Sequence, residues 1–291
     1  MNFLTLIGAR KKEADFVEQY QPSLINTPAR NYHEYVLSQN EIISYSAICF
    51  AVAGFVGWIF YGGFFLDDKG NPTTLTTICN IIAVCIPGCI AIRVMLPNIS
   101  NMLVTRNKRI LGHQFRDLLD SITSSLTSGS NVNDAFKNAE SDLLQQHAPD
   151  AFINQEVKIM VDGINNNIHI DELMQDFGVR SGNVDILSFA NVFVIAFKQG
   201  GNMKDVVSST RNVLSEKMEI SEEIETAVAG SKNDSYIMLV IPCLLVAMMK
   251  LGGGSFAVAL STLAGFGSVT VAIVCFVGSF AMSRSIMDIK L

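Results

Sequence analysis

The chain has 291 residues, 49% of them hydrophobic, and carries a formal net charge of −6 at pH 7. This composition is typical of a protein with both membrane-spanning and soluble parts, and it fits a purely soluble protein less well. The acidic balance, without a basic stripe interleaved with aromatic residues, argues against nucleic acid as a partner. The first expectation is a membrane protein that carries a folded polar domain.

Residues 1–40 precede the first long apolar run and are predicted to form a cytoplasmic segment, with a short amphipathic helix and then a linker around Pro22 and Pro28. The apolar stretch at residues 3–7 is too short for the core of a cleavable signal, and the charges at residues 10–12 follow it rather than precede it. We therefore expect that no signal peptide is removed.

Four apolar runs come next, at residues 42–66, 75–92, 236–249 and 256–282. About 20 apolar residues are enough to cross a hydrocarbon core of about 30 Å. The backbone of each span must be helical, because lipid offers no partner for a free N–H or C=O group. The pattern predicts a polytopic protein with about four transmembrane helices, arranged as one pair within residues 41–93 and another within residues 235–291.

Basic residues are concentrated on one side of the predicted membrane. Arg93, Arg106, Lys108, Arg109 and Arg116 all precede the first acidic residue after the second run. Lys and Arg accumulate on the cytoplasmic side of membrane proteins. Both termini and the polar domain, residues 94–234, are therefore predicted to be cytoplasmic, with two short loops outside.

The polar domain has the periodicity of α-helices. Apolar residues recur at steps of three and four, which is the spacing of a helix that buries one face. Three such stripes are Phe115, Leu118, Leu119, Ile122 and Leu126; Ile153, Val157, Met160, Val161 and Ile164; and Ile186, Phe189, Phe193, Ala196 and Phe197. Breaks fall at residues 129–130, 147–149, 165–167, 181–182 and 200–201. The predicted fold class is all-α, and the domain is predicted to be a bundle of about six helices with short connections.

Two of the breaks have matching sequences, GSNVNDAF at residues 129–136 and GGNMKDVV at residues 200–207. In each, a Gly follows an amphipathic helix, where it can adopt the left-handed conformation that ends a helix. An Asn then occupies the N-cap position, and an Asp follows three residues later, near the positive end of the next helix dipole. Residues 163–173 are a looser third version of this pattern.

These two breaks supply the candidate partner-contact or hairpin-turn residues: Gly129, Asn131, Asp134, Gly200, Gly201, Asn202 and Asp205. Helix capping is the simpler interpretation of Asp134 and Asp205, because both positions suit it. The functional alternative is that the two carboxylates form an acidic contact for the basic surface of a partner.

The sequence shows no pattern that predicts catalysis. Gly230-Ser231-Lys232 lacks the upstream Gly and the final hydroxyl of a phosphate-binding loop. The four His residues are dispersed, and all six Cys residues fall inside the apolar runs, where Cys is usually a small packing residue. We expect no catalytic residue, no cofactor and no metal, and therefore no enzyme.

The order of these features resembles a known family. Two apolar runs, a helical domain with a repeated helix–Gly–helix turn and two further runs resemble TadB and TadC of the tight-adherence (Flp) pilus machinery, within the type II secretion F (GspF/PilC) family. Residues 116–120 followed by residues 128–131 look like the L-x-x-G-x-x-x-x-x-A pattern of that family, and residues 198–202 are similar to its second Gly-Gly turn. Pro242 also matches the usual layout. Classical GspF and PilC proteins have two copies of the domain, and the single copy here favours the Tad-type branch.

The resemblance implies a platform protein in the bacterial cytoplasmic (inner) membrane. A cytoplasmic secretion ATPase would act on the helical domain, and the spans would help to move prepilin from the bilayer into a pilus. Single-copy members are expected to associate with a paralogous F-type platform protein or with themselves, as homo- or hetero-oligomers.

Two other classes of function compete with this interpretation. A receptor-like signalling protein would use the helical domain as an output module, but the outer loops are too short to fold as a sensor. A small-solute permease is disfavoured because the apolar runs carry almost no ionisable residues, which transport pathways usually require.

Overall fold

A computed structural model of the protein describes residues 20–62, 74–251 and 263–287. The fold is all-α apart from one two-stranded hairpin. The elements are β1 Tyr20–Pro22, β2 Pro28–Arg30, α1 Gln39–Tyr61, α2 Thr74–Thr127, α3 Val132–Gln146, α4 Phe152–Asn165, α5 Ile170–Ser181, α6 Val184–Lys198, α7 Met203–Leu251 and α8 Leu263–Met287. The predicted N-terminal amphipathic helix and the two predicted outer loops lie outside the described residues.

The chain divides into two compact units. The first contains residues 1–37 and 99–219, and the second contains residues 38–98 and 220–291. Because α2 and α7 are long, each of them contributes residues to both units.

The second unit contains the apolar helices. Within the described residues, three helices are long and apolar enough to cross a membrane: α1, α2 and α7. The fourth predicted run, residues 256–282, lies partly outside the described residues, and its described part belongs to α8. Helix α1 begins at a capping box in which Ser38 is the N-cap and Glu41 accepts a hydrogen bond from the Ser38 amide over 2.9 Å.

Close contact between α1 and α2 depends on small residues. A Cβ atom on Gly57 would lie 2.1 Å from the Ala83 carbonyl oxygen, and one on Gly54 would lie 2.9 Å from the Val84 side chain. Small residues are enriched where membrane helices approach closely, because they allow the backbones to touch. The Tyr61 hydroxyl lies 3.1 Å from the Thr270 hydroxyl, which joins α1 to α8 by a hydrogen bond.

The first unit is built from six helical segments, namely the C-terminal half of α2, helices α3 to α6 and the N-terminal part of α7. The three predicted apolar stripes are confirmed: most of their residues are buried, and the remainder are partly buried and pack against the core. The largest fully buried side chains include Phe115, Phe136, Phe177, Phe189 and Phe193. Their rings contact one another; Phe136 and Phe193 meet edge to face at 6.1 Å between centroids.

Residues 20–33 are the main departure from the sequence prediction. The linker expected around Pro22 and Pro28 is a β-hairpin, in which Pro22 pairs with Pro28 and Tyr20 pairs with Arg30. Asn26 turns the chain with a φ of 56°, a left-handed conformation that Asn tolerates well. Ala29 in the hairpin and Tyr32 just after it are almost fully buried, and Tyr32 belongs to the core of the first unit.

Candidate partner-contact site

The turn between α2 and α3 is a Schellman motif. Gly129 has a φ of 93°, and its amide donates to the Leu126 carbonyl over 3.2 Å. The Ser130 amide donates to the Ser125 carbonyl over 3.1 Å. These two bonds satisfy carbonyl groups that the end of α2 would otherwise leave without partners. The predicted left-handed Gly at this position is confirmed.

The turn between α6 and α7 repeats this geometry. Gly200 has a φ of 67°, and its amide donates to the Phe197 carbonyl over 3.3 Å. The Gly201 amide donates to the Ala196 carbonyl over 2.8 Å. The second left-handed Gly is therefore also confirmed, and the two sequence repeats are repeats of structure.

Both helices that follow begin with an Asn–Asp pair. Asn131 is the N-cap of α3, and its side-chain oxygen accepts a hydrogen bond from the Asp134 amide over 2.8 Å. The Asn131 side-chain nitrogen donates to the Asp134 carboxylate over 2.7 Å. Asn202 and Asp205 form the same side-chain bond over 2.7 Å at the start of α7. The carboxylates thus hold the cap residues in place, as the capping interpretation predicts.

The Asn202 cap differs from the Asn131 cap in one respect. At Asn202 the Asp205 amide donates to the backbone carbonyl of Asn202 over 3.2 Å, whereas the Asp134 amide donates to the Asn131 side chain. The repeated element is therefore the side-chain pair, and the backbone bonds at the two helix starts are not identical.

The looser third version of the pattern is a third Schellman turn, between α4 and α5. Here the left-handed residue is Asn167, with a φ of 63°. Its amide donates to the Ile164 carbonyl and the Ile168 amide donates to the Gly163 carbonyl, both over 3.0 Å. Helix α5 then starts after the N-cap His169. Asn replaces Gly at the left-handed position, which is why the match in sequence is weak.

The three turns lie at the same end of the bundle. Asp120, about two turns before the end of α2, pairs with Arg211, about two turns after the start of α7. Further from both of these helix ends, a Cβ atom on Gly112 would lie 3.9 Å from the Met218 side chain, so the two helix segments are antiparallel neighbours. The end of α2 therefore lies beside the start of α7. Lys198, the last residue of α6, lies 3.6 Å from Asp171 in the first turn of α5. This ion pair places the third turn beside the second.

The chain enters the bundle near Ile99 and leaves it near Glu219, and both positions lie at the opposite end of the antiparallel α2 and α7 segments. The α3–α4 and α5–α6 connections also lie at that opposite end, because successive helices alternate in direction. Among the described residues, the end with the three turns therefore consists of hairpin turns alone. We call it the turn end; it comprises residues 128–134, 165–172 and 199–205.

The turn end is open and polar. A Cβ atom on Gly129 or Gly200 would meet no atom within 4 Å, so nothing in the described structure covers these turns. Asp134 and Asp205 are exposed, whereas Asp171 is nearly buried beside Lys198. The geometry brings together every candidate residue predicted from the sequence and adds the Asn167 turn.

A buried charged cluster was not expected from the sequence. Glu156 of α4 and Arg180 of α5 are 1% and 5% exposed, and the Arg180 guanidinium donates to both Glu156 oxygens, over 3.1 and 2.9 Å. The Tyr32 hydroxyl donates to Glu156 over 3.1 Å, and Arg180 also donates to Asp176 over 2.8 Å. These residues form no recognisable sequence motif. The one sequence signal was a Glu and an Arg on helix faces whose other residues are apolar.

The electrostatics of this cluster follow from its burial. Burial raises the pKa of the Tyr32 hydroxyl well above its ordinary range, and the Glu156 carboxylate raises it further, so Tyr32 remains a donor. Burial raises the pKa of the Glu156 carboxyl, and the Arg180 guanidinium opposes that rise. The Arg180 guanidinium is satisfied by acceptors on three sides, which is the condition for keeping a charge inside a protein.

Taken together, the fold and the turn end define an α-helical protein with membrane-length apolar helices and a six-helix bundle. Among the described residues, His, Cys, Asp and Glu do not gather into a group of three that could hold a metal ion. Comparison of the chain with known protein families, with curated proteins and with solved structures finds no match.

Proposed function

We propose that the protein is a non-enzymatic platform of a Tad/Flp-type pilus or type II secretion apparatus in the bacterial inner membrane. The bundle, at residues 94–234, is cytoplasmic and receives a secretion ATPase. The apolar helices, four in all, work on prepilin in the bilayer. A paralogous F-type platform protein or a second copy completes the assembly.

The turn end is the observation that carries this proposal. A platform must offer a rigid surface to its motor while its chain ends remain continuous with the membrane helices. The three turns supply such a surface, because they lie opposite the end where the chain enters and leaves the bundle. Gly129 and Gly200 also lie within the two sequence motifs that contribute to the family resemblance.

The charges of the turn end indicate the kind of partner surface. Asp134, Glu172 and Asp205 each occupy the first turn of a helix, where an acid is stabilised by the helix dipole. The exposed carboxylates of Asp134 and Asp205 keep oxygen atoms available while they hold their Asn partners. A basic patch on the ATPase is therefore the complementary surface.

Co-purification of the full-length protein in detergent with the secretion ATPase of the same genome tests this proposal. The double variant Asp134→Lys/Asp205→Lys reverses two exposed charges at the turn end. Asp150→Lys makes the same exposed change in the α3–α4 connection, at the opposite end. We expect the wild-type protein and Asp150→Lys to retain the ATPase. With the double variant, the amount of captured ATPase should fall at least about tenfold.

A second pair of variants separates capping from contact. If Asp134 and Asp205 only cap helices, Asp→Asn should bind normally and Asp→Ala should cost about 1 kcal/mol of stability per site. If they contact the ATPase, both changes should lower capture while the melting temperature of Asp→Asn stays near that of the wild type. Failure of the wild-type protein to retain any secretion ATPase would contradict the proposed function itself.

A further inference from the structure

Residues 29–33 lie along the end of α5 and are bound to it by hydrogen bonds. The Arg30 carbonyl accepts from the Arg180 guanidinium over 3.3 Å, and the Tyr32 amide donates to the Arg180 carbonyl over 3.1 Å. One residue further on, the His33 ring lies 2.9 Å from the Val179 carbonyl. This segment and α5 both belong to the first unit. We call residues 29–33 the clip.

The side chains of the clip meet the start of α4. The Tyr32 ring contacts the Phe152 ring edge to face, at 5.7 Å between centroids. The Arg30 guanidinium lies 4.7 Å from the centre of the Phe152 ring, a cation–π geometry. Phe152 is the first residue of α4, so the clip contacts both helices at the end of the bundle opposite the turn end.

The Tyr32 side chain lies against a buried carboxylate. Tyr32 is 3% exposed, and its hydroxyl donates to Glu156 over 3.1 Å. Two hydrogen bonds from Arg180 hold that carboxylate in place. The Phe152 ring beside a fixed anionic acceptor is complementary to a phenol, which has an aromatic ring and one hydroxyl donor. A ligand that lacks the hydroxyl leaves the carboxylate short of a donor, and a site of this kind rejects such a ligand for that reason.

The rest of the hairpin adds little to the attachment of the clip. Each strand has three residues, and a hairpin of this size is at best marginally stable by itself. Most of residues 20–30 are exposed, including Leu24 at 49%. Among residues 20–37, Tyr32 is the one member of the core of the first unit. Because few contacts hold the clip, we expect it to open at a lower free energy than the core helices.

We propose that α4 and α5 form a phenol-recognition site and that Tyr32 is its tethered ligand. The clip leaves and re-enters the site while the bundle stays folded, and a vacant site binds a free phenol in place of Tyr32. The site keeps its shape without the clip, because Arg180 still donates to both oxygens of the Glu156 carboxylate. This inference concerns the first unit alone and does not rest on the proposed function.

Chemical rescue tests the class of ligand. Tyr32→Ala, in the full-length protein in detergent, vacates the site, and phenol supplies the missing ring and hydroxyl. We expect phenol to raise the melting temperature of Tyr32→Ala in a saturable way. The wild type should change little, because its tethered Tyr32 competes at a high effective concentration. Benzene should bind to Tyr32→Ala at least about tenfold more weakly than phenol, because it makes no hydrogen bond to Glu156.

Phe136→Ala is the matched control for this rescue. Phe136, in α3, is fully buried, and its ring contacts Phe193. Its removal vacates a site that a ring filled without any hydrogen bond. Benzene should therefore stabilise Phe136→Ala at least as well as phenol, which would bury a hydroxyl there. Opposite preferences in the two variants exclude a general effect of the probes on the detergent. Equal stabilisation of Tyr32→Ala by phenol and benzene, or by neither, would overturn the phenol site.

Hydrogen exchange of the wild-type protein tests whether the clip opens by itself, and this measurement requires no variant to fold. Relative to their intrinsic rates, the Tyr32 amide should exchange at least about tenfold faster than the Phe177 amide in the buried part of α5, because the bundle stays folded when the clip opens. Equal protection of the two amides, with the same response to denaturant, would mean that the clip leaves only when the bundle unfolds. That result would overturn the tethered ligand.

Discussion

At the scale of single residues, the two left-handed glycines and their Asn–Asp pairs are the part of the site that was predictable. Gly after an amphipathic helix and Asn two residues later are local signals, because backbone sterics and side-chain capping act within one turn. The buried Glu156–Arg180–Tyr32 cluster was not predictable. Tyr32 and Glu156 are far apart in the sequence, and their contact depends on how the whole bundle packs.

Substitution of Gly129 tests directly whether this residue has a left-handed backbone conformation. A left-handed conformation costs about 1–2 kcal/mol for a residue with a Cβ atom, so Gly129→Ala should lower the free energy of unfolding by about that amount. Gly230 is the matched control: it also has open space around its Cβ position, but it lies inside α7 with an ordinary helical backbone. Gly230→Ala should be stabilising by about 0.5–1 kcal/mol. Equal effects of the two changes in chemical unfolding would contradict the assigned turn geometry.

Removal of Glu156 tests the buried ion pair. Glu156→Ala leaves the Arg180 guanidinium buried with fewer acceptors and should destabilise the protein by about 3–5 kcal/mol. Lys217→Ala is the control, because the Lys217–Asp185 pair is exposed and an exposed pair is worth about 1 kcal/mol or less. The urea concentrations at the unfolding midpoints of the two variants should therefore differ widely. Similar midpoints would contradict a buried ion pair at Glu156.

At the scale of elements, the predicted helices of the bundle and their buried faces are confirmed, because a strong apolar stripe repeats along each one. The β-hairpin at residues 20–30 was missed. Its strands have three residues each, and two prolines indicated a linker. Such a short hairpin is marginal by itself, so its stability comes from contacts with distant residues such as Arg180, which local patterns do not reveal.

The close packing of α1 against α2 in the second unit can be tested by substitution of a glycine at their contact. Gly57→Ala would place a Cβ atom 2.1 Å from a backbone oxygen, so the helices must separate. Overpacking of this kind typically costs about 1–3 kcal/mol, and we expect a lower melting temperature in detergent. Gly278→Ala in α8, where a Cβ atom would meet nothing within 4 Å, should leave the melting temperature nearly unchanged. Equal melting temperatures of the two variants would exclude the close α1–α2 contact.

At the scale of the whole molecule, the lengths of the apolar runs and the helical periodicity correctly predicted an all-α protein with membrane-length helices. The number of spans and their orientation stay predictions, because they follow from the apolar runs and from the charges beside them. The three turns share one end of the bundle because the helices alternate in direction, and contacts between residues distant in sequence, Asp120–Arg211 and Lys198–Asp171, place the turns beside one another.

Orientation is testable in intact cells. In a variant without the six native Cys residues, a Cys placed at Ser130 should react with a membrane-impermeant maleimide only after the cells are opened. A Cys placed at Lys69, in the first predicted outer loop, should react in intact cells once the outer barrier is permeabilised. The reverse pattern would place the bundle outside the cytoplasm and would remove the proposed contact with an ATPase.

The proposed role, a platform on which an ATPase drives pilus assembly or secretion, is tested most directly by measuring surface fibre in a deletion strain. We predict that deletion abolishes assembled fibre while prepilin remains in the membrane fraction. We also predict that the wild-type gene and the Asp150→Lys variant restore fibre, whereas Asp134→Lys/Asp205→Lys does not. Normal fibre and normal secretion in the deletion strain would contradict the account.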